Sequence, residues 1–136
     1  MQVSGILETA LYVSDPAVTA AFYRRLFGFA TLLESDRLIA LDVAGRNVLL
    51  LFRQGVTDGP FDTGSGVIPG VAGVAPTHFA FSIEAEDIEP WKAKLAAEGV
   101  AVESVVDWPR GARSIYFRDP DGNLGELITR GFWTTY

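Results

Sequence analysis

The chain has 136 residues, one histidine, no cysteine and a formal net charge of −6. Those counts exclude a disulfide framework, cysteine-bound zinc or iron–sulfur centres, a cysteine nucleophile, and any site needing two histidines from one chain. At 49% apolar and 21% charged the composition is globular, and the length suits one domain able to bury a core. There is no basic run, no bilayer-length apolar stretch and no leader-like N-terminus, so neither nucleic acid nor membrane is an expected partner and the expected location is cytoplasmic.

Residues 5–13 read as a strand, followed by turn chemistry at Ser14-Asp15-Pro16. Ser14 or Asp15 can cap a helix, and Pro16 fits its first turn. Residues 17–26 place Val18, Ala21, Phe22 and Leu26 on one helical face, and Gly28 ends that helix. Residues 29–33, 38–43 and 47–52 read as three short strands, with a turn at Gly45. Residues 53–77 hold six glycines and three prolines without periodicity, a long connection that either links units or covers a site. Residues 77–83 read as a strand. A helix then opens at Ala85-Glu86-Asp87, carries Ile88, Trp91 and Leu95, and ends at Gly99. Residues 100–106, 114–118 and 124–129 are further strands, the last two joined by the hairpin signal Asp119-Pro120-Asp121-Gly122-Asn123.

The order β-α-β-β-β thus occurs twice: Glu8 precedes Gly28 by 20 residues and His78 precedes Gly99 by 21. The predicted fold class is α+β, with two paired βαβββ modules in a single domain over 1–136: module one 1–55, linker 56–76, module two 77–136. One α+β domain with coincidental internal similarity is the rival reading.

Strand side chains alternate faces. Glu8, Ala10 and Tyr12 share one face of the first strand, opposite the bulkier Leu7, Thr9, Leu11 and Val13. His78, Ala80 and Ser82 share a face opposite Phe79, Phe81 and Ile83, and Glu126 is an acid in an otherwise apolar strand. If two curved sheets face each other, Glu8, His78 and Glu126 converge as two carboxylates and one imidazole, a donor set for a divalent metal. The plainer alternatives are a solvated Glu8, a surface His78, and a Glu126 that pairs with Arg118 across the hairpin.

Several stretches resemble the vicinal oxygen chelate superfamily of glyoxalase I, extradiol dioxygenases, fosfomycin-resistance proteins, methylmalonyl-CoA epimerase and bleomycin-binding proteins. Leu11-Tyr12-Val13-Ser14-Asp15 and the segment from Ala21-Phe22-Tyr23 to Leu26-Phe27-Gly28-Phe29 resemble its "FY…LGF" helix end. Thr77-His78-Phe79-Ala80-Phe81 opens its second module, and the run from Ser114-Ile115-Tyr116-Phe117 through Asp119-Pro120-Asp121-Gly122-Asn123 to Glu126-Leu127 resembles its "YFxDPDGNxxEL" ending.

The resemblance implies paired modules that form a curved, open barrel-like sheet around a divalent metal (Zn, Ni, Mn or Fe). Glu8 falls where the family often has His or Gln, while His78 and Glu126 match its usual ligands. The fourth ligand position of glyoxalase I falls near Leu50 and is aliphatic here. The two-His, one-carboxylate set of extradiol enzymes is not matched either.

Tyr116, ten residues before Glu126, would stand near the metal as hydrogen-bond donor or proton carrier. Tyr116 and Glu126 are therefore the candidate catalytic residues. Phe52, Trp108, Arg110, Ser114 and Tyr116 would contact substrate, Trp108 through an apolar or ring-shaped group and Arg110 through an anion. The alternatives are a core aromatic for Tyr116 and an ordinary loop anchor for Trp108.

The implied function is a metal-dependent enzyme that chelates a small oxygenated metabolite for lyase, isomerase or, with Fe(II) or Mn(II), ring-cleaving dioxygenase chemistry. The alternative is a metal-independent protein that sequesters a small molecule or antibiotic. A homodimer is expected by analogy with the family.

Overall fold

The computed structural model describes residues 1–134, and the chain divides between Ala75 and Pro76 into two compact units. Unit one contains β1 (Glu8–Val13), α1 (Pro16–Phe27), β2 (Thr31–Glu34), β3 (Leu38–Val43) and β4 (Asn47–Arg53), followed by the two-residue strands β5 (Phe61–Asp62) and β6 (Val67–Ile68). Its sheet has the order β1-β4-β3-β2, with β1 parallel to β4 and the other pairs antiparallel.

Local chemistry explains α1. The Asp15 carboxylate accepts from the Ala17 amide at 2.9 Å, Pro16 occupies the first turn, and Gly28 closes the helix at φ 73°. The buried stripe runs through Pro16, Thr19, Ala20, Tyr23 and Leu26, with Phe22 beside it. The face expected from Val18 and Ala21 is therefore rotated, since Val18 is 55% exposed and Ala21 is exposed. The stronger pattern is the one that puts Tyr23 against Phe27 and Phe29, all three rings stacked.

Leu11 and Val13 of β1, Ile39 and Leu41 of β3, and Leu49 and Leu51 of β4 are buried and share one strand parity, while α1 lies against β3 and β4. That face holds the core of unit one. The opposite face carries Glu8, Ala10 and Tyr12 beside Val48, Leu50 and Phe52.

The glycine- and proline-rich stretch is not structureless. β5 and β6 form a small antiparallel ladder, and the Thr57 and Val71 backbones close the loop at 2.7 Å. The backbone at Gly73 lies on the Tyr12 ring so closely that any side chain there would strike it.

Unit two contains β7 (His78–Ile83), a 3-10 turn (Ala85–Asp87), α2 (Ile88–Ala97), β8 (Ser104–Asp107), a 3-10 turn (Pro109–Gly111), β9 (Arg113–Arg118) and β10 (Leu124–Thr129). Its strand order, β7-β10-β9-β8, repeats that of unit one, again with one parallel pair, β7 with β10. The α+β class and the two βαβββ modules are thus present as two four-stranded sheets. β8 starts later than the apolar run from Val100 suggests, because the Val100 amide bonds the Leu95 carbonyl as the chain leaves α2.

The core of unit two is Phe79, Ile83, Ile115, Phe117 and Leu127 with Ile88 and Leu95 of α2. Gly125 is required beside the buried Phe117, whose ring leaves no room for a side chain. Among the described residues no helix is long and apolar enough to cross a membrane.

Candidate metal centre on the second sheet

The Asp119–Asn123 turn does more than reverse the chain. The Asp119 carboxylate accepts from the Asp121 and Asn123 amides at 2.9 Å each and from the Asn123 side-chain amide at 2.8 Å. The fully buried Asn123 then accepts from the Thr77 amide at 2.8 Å and the Thr77 hydroxyl at 3.2 Å. The Leu124 amide donates to the Thr77 carbonyl at 2.8 Å. The turn therefore fixes the entry of β7, one residue before His78.

His78 Nδ1 lies 3.0 Å from the Leu124 carbonyl. A carbonyl only accepts, so Nδ1 carries the proton and donates, and Nε2 is the nitrogen with the free lone pair. Nε2 faces Glu126 Oε2 at 3.2 Å. Two acceptors aimed at one another call for a cation between them, either a proton or a metal ion. Donors bound to one divalent ion at about 2.0–2.2 Å stand roughly 3 Å apart, so this pair fits one coordination sphere.

The outer atoms also fit. The Nδ1 bond orients the ring, and Glu126 Oε1 accepts from the Ser114 hydroxyl at 2.5 Å. The His78 side chain is half exposed and that of Glu126 only 8% exposed, so the pair opens to one side.

Tyr116 stands opposite Glu126 in the β9–β10 ladder, with its ring 6.3 Å from that of His78. Its phenol is held above the ordinary value of 10.0, first by burial and then by the Glu126 carboxylate beside it, with the neighbouring Ser114 hydroxyl opposing them. The neutral phenol is thus favoured by the fold. Its contribution to stability is complete below pH 10 and is lost as pH rises through the folded value. Spectrophotometric titration of tyrosinate, with the difference from Tyr116→Phe assigning the group, should find Tyr116 ionising above the free value, and Glu126→Gln should move it down part of the way, because burial remains. A Tyr116 titration unchanged by Glu126→Gln would contradict the coupling.

Trp108 donates its indole N–H to the Ser114 hydroxyl at 2.8 Å, and its ring lies 4.7 Å from Phe132. The Arg110 guanidinium donates to the Phe132 carbonyl at 2.6 Å. Arg118 pairs with Glu103 at 3.1 Å and donates to the Gly122 carbonyl, so the expected alternative of a Glu126–Arg118 pair is not formed.

In unit one, Glu8 is exposed, and Phe52 stacks on Tyr12 at 6.0 Å. The registers relate the modules: Glu8 and His78 both open their strands, Ala10 pairs with Leu50, and Ala80 pairs with Glu126. Leu50 thus occupies in module one the place that Glu126 holds in module two.

Within unit two the structure brings together His78, Glu126, Ser114, Tyr116 and Trp108. Among the described residues no set of three or more His, Asp or Glu side chains is gathered to hold a metal, so the His78–Glu126 pair stands without a third such ligand. Sequence reasoning missed the buried Asp119–Asn123–Thr77 network and the link from Trp108 to Ser114. Ser114 and Glu126 share a face of adjacent hairpin strands, and that parity was the one signal available for their contact.

Two βαβββ modules of identical strand order, one presenting an imidazole and a carboxylate on its open face, define a paired-module α+β protein. The chain belongs to the Glyoxalase/Bleomycin resistance protein/Dioxygenase superfamily, whose family model matches residues 5–127. It is similar to the metallothiol transferase FosB of Bacillus licheniformis, with 32% identity over 136 residues, covering 94% of this chain and 77% of that one. The crystal structure of lactoylglutathione lyase from Agrobacterium tumefaciens superposes with a TM-score of 0.89 at 33% identity, covering 98% of this chain and 99% of that one. The fosfomycin resistance protein FosX from Listeria monocytogenes shares the fold, with a TM-score of 0.70 at 22% identity, covering 96% of this chain and 97% of that one.

Proposed function

We propose that the protein is a divalent-metal-dependent enzyme acting on a small oxygenated metabolite, with His78 and Glu126 as two of the ligands and Glu8 as the third. The observation that carries this reading is the 3.2 Å approach of Nε2 and Oε2, each backed by its own outer hydrogen bond. Glu8 holds the matching strand position of module one, and a second copy of the chain in a homodimer would supply it. Two carboxylates and a neutral imidazole balance a 2+ charge. Bound there, the metal would act as a Lewis acid toward vicinal oxygens of the substrate.

This chain's residues supply the rest. Tyr116, neutral and paired with Glu126 across the ladder, holds a proton beside the site for donation to a developing oxyanion. Tyr12 and Phe52 form an apolar wall on the open face of module one.

Two relatives above 30% identity are named for thiol chemistry, a metallothiol transferase and a lactoylglutathione lyase. Thiol adducts of small carbonyl compounds and thiol addition to small oxygenated electrophiles are accordingly the first reactions to try, with aerobic ring cleavage of catechols after them.

Metal analysis of purified protein, loaded with Zn, Ni, Mn or Fe, should find about one tight divalent ion per chain. Protein without stoichiometric metal and indifferent to added ions would overturn the enzyme reading and favour sequestration of a small molecule.

A further inference from the structure

Ser114 has one hydroxyl proton and, with 0% exposure, no access to water. A serine hydroxyl ordinarily rotates to suit its surroundings, donating to one group and accepting from another. Here an indole N–H, which can only donate, takes one lone pair at 2.8 Å. The serine proton is thereby directed to Glu126 Oε1, 2.5 Å away. With Oε1 capped, Oε2 is the oxygen that faces His78 Nε2.

Trp108 is itself held on three sides. Its amide donates to the Ala112 carbonyl at 2.8 Å and its carbonyl accepts from the Gly111 amide at 3.2 Å. Its ring packs on Phe132, whose carbonyl accepts from Arg110. Arg110 adopts φ 75°, a left-handed backbone that a side-chain-bearing residue keeps only where its surroundings demand it. The tight turn thus holds the indole N–H in place.

We propose that Trp108 is a positioning residue: acting through Ser114, it fixes Glu126 with Oε1 capped and only Oε2 presented. In this role the half-buried Trp108 acts through its N–H. The metal arm of the test below rests on the proposed function; the other arm does not.

With Mn(II) as the probe, read by loss of the free-ion electron paramagnetic resonance signal, Trp108→Phe keeps the ring but removes the N–H. It should weaken binding by about tenfold, the usual scale for outer-sphere partners. Ser114→Ala should do the same, and the double variant should be no weaker than Ser114→Ala alone, because both act on one chain of bonds. Additive losses, or a Trp108→Phe protein that binds like the parent, would overturn the proposal.

Metal-free protein gives the independent arm. The chain has three tryptophans, and the indole signal missing from nitrogen-15 spectra of Trp108→Phe identifies the Trp108 N–H. Ser114→Ala and Glu126→Gln should each shift that signal and leave the other two in place. An indole signal indifferent to both would sink the proposal whatever the metal result. If the parent takes up no Mn(II), the metal reading fails alone, and the indole shifts decide the positioning role.

Discussion

Replacing Glu126 with glutamine should weaken uptake of divalent metal severely while leaving the protein folded. The substitution changes one atom and one charge. The amide oxygen can take the place of Oε1 and accept from Ser114. The amide nitrogen then occupies the place of Oε2, 3.2 Å from Nε2, and donates to the lone pair that the Nδ1 bond leaves free. Every buried bond survives in neutral form, so urea unfolding should shift by no more than about 1 kcal/mol. The metal loses an anionic ligand and meets an N–H instead. Calorimetric titration with Mn(II) or Zn(II) should show affinity lower by a factor on the order of a hundred or more, since loss of a ligand should exceed the roughly 10–100-fold cost of losing an outer-sphere partner. Uptake equal to that of the parent would remove Glu126 from the ligand set.

Asn123→Ala should have the largest effect on stability, about 2–4 kcal/mol by urea unfolding, since three hydrogen bonds of one fully buried side chain are lost at once. The Asn123 carbonyl serves both the Thr77 amide and the Thr77 hydroxyl, and its amide serves Asp119. Removing it takes the acceptor from the Thr77 amide and one donor from the Asp119 carboxylate at the seam between β7 and the hairpin. The same loss frees the entry of β7, so the folded fraction of the variant should also bind Mn(II) more weakly although position 123 touches no ligand. A stability loss below about 1 kcal/mol would show that the Asp119 bonds alone hold the turn.

Much of this was legible in the chain. Asp15-Pro16 and Gly28 mark the ends of α1 by local chemistry, and strand parity separates the Leu11 and Val13 face from that of Glu8. Parity also places Ser114, Tyr116 and Glu126 on one face of adjacent strands. What stayed hidden was selected by packing at long range. The buried stripe of α1 follows the Tyr23–Phe27–Phe29 stack, which periodicity alone cannot choose over Val18. The hairpin between Thr57 and Val71 depends on closure between residues 14 apart in a segment without apolar rhythm. For Trp108, residue type points to its ring, and nothing in the sequence signals the inward bond of its N–H to Ser114.

The donor pair also has a history within each folding event. The bonds from Trp108 to Ser114 and from Ser114 to Glu126 span 6 and 12 residues, so they can arise as soon as the β9–β10 hairpin zips. His78 reaches Leu124 across 46 residues, through a parallel ladder that no hairpin can nucleate. Loop closure of that length is slower and entropically dearer than a local turn. Chain entropy therefore predicts that the carboxylate is shaped before the imidazole arrives, so that a partly folded chain would hold a prepared acid without its histidine.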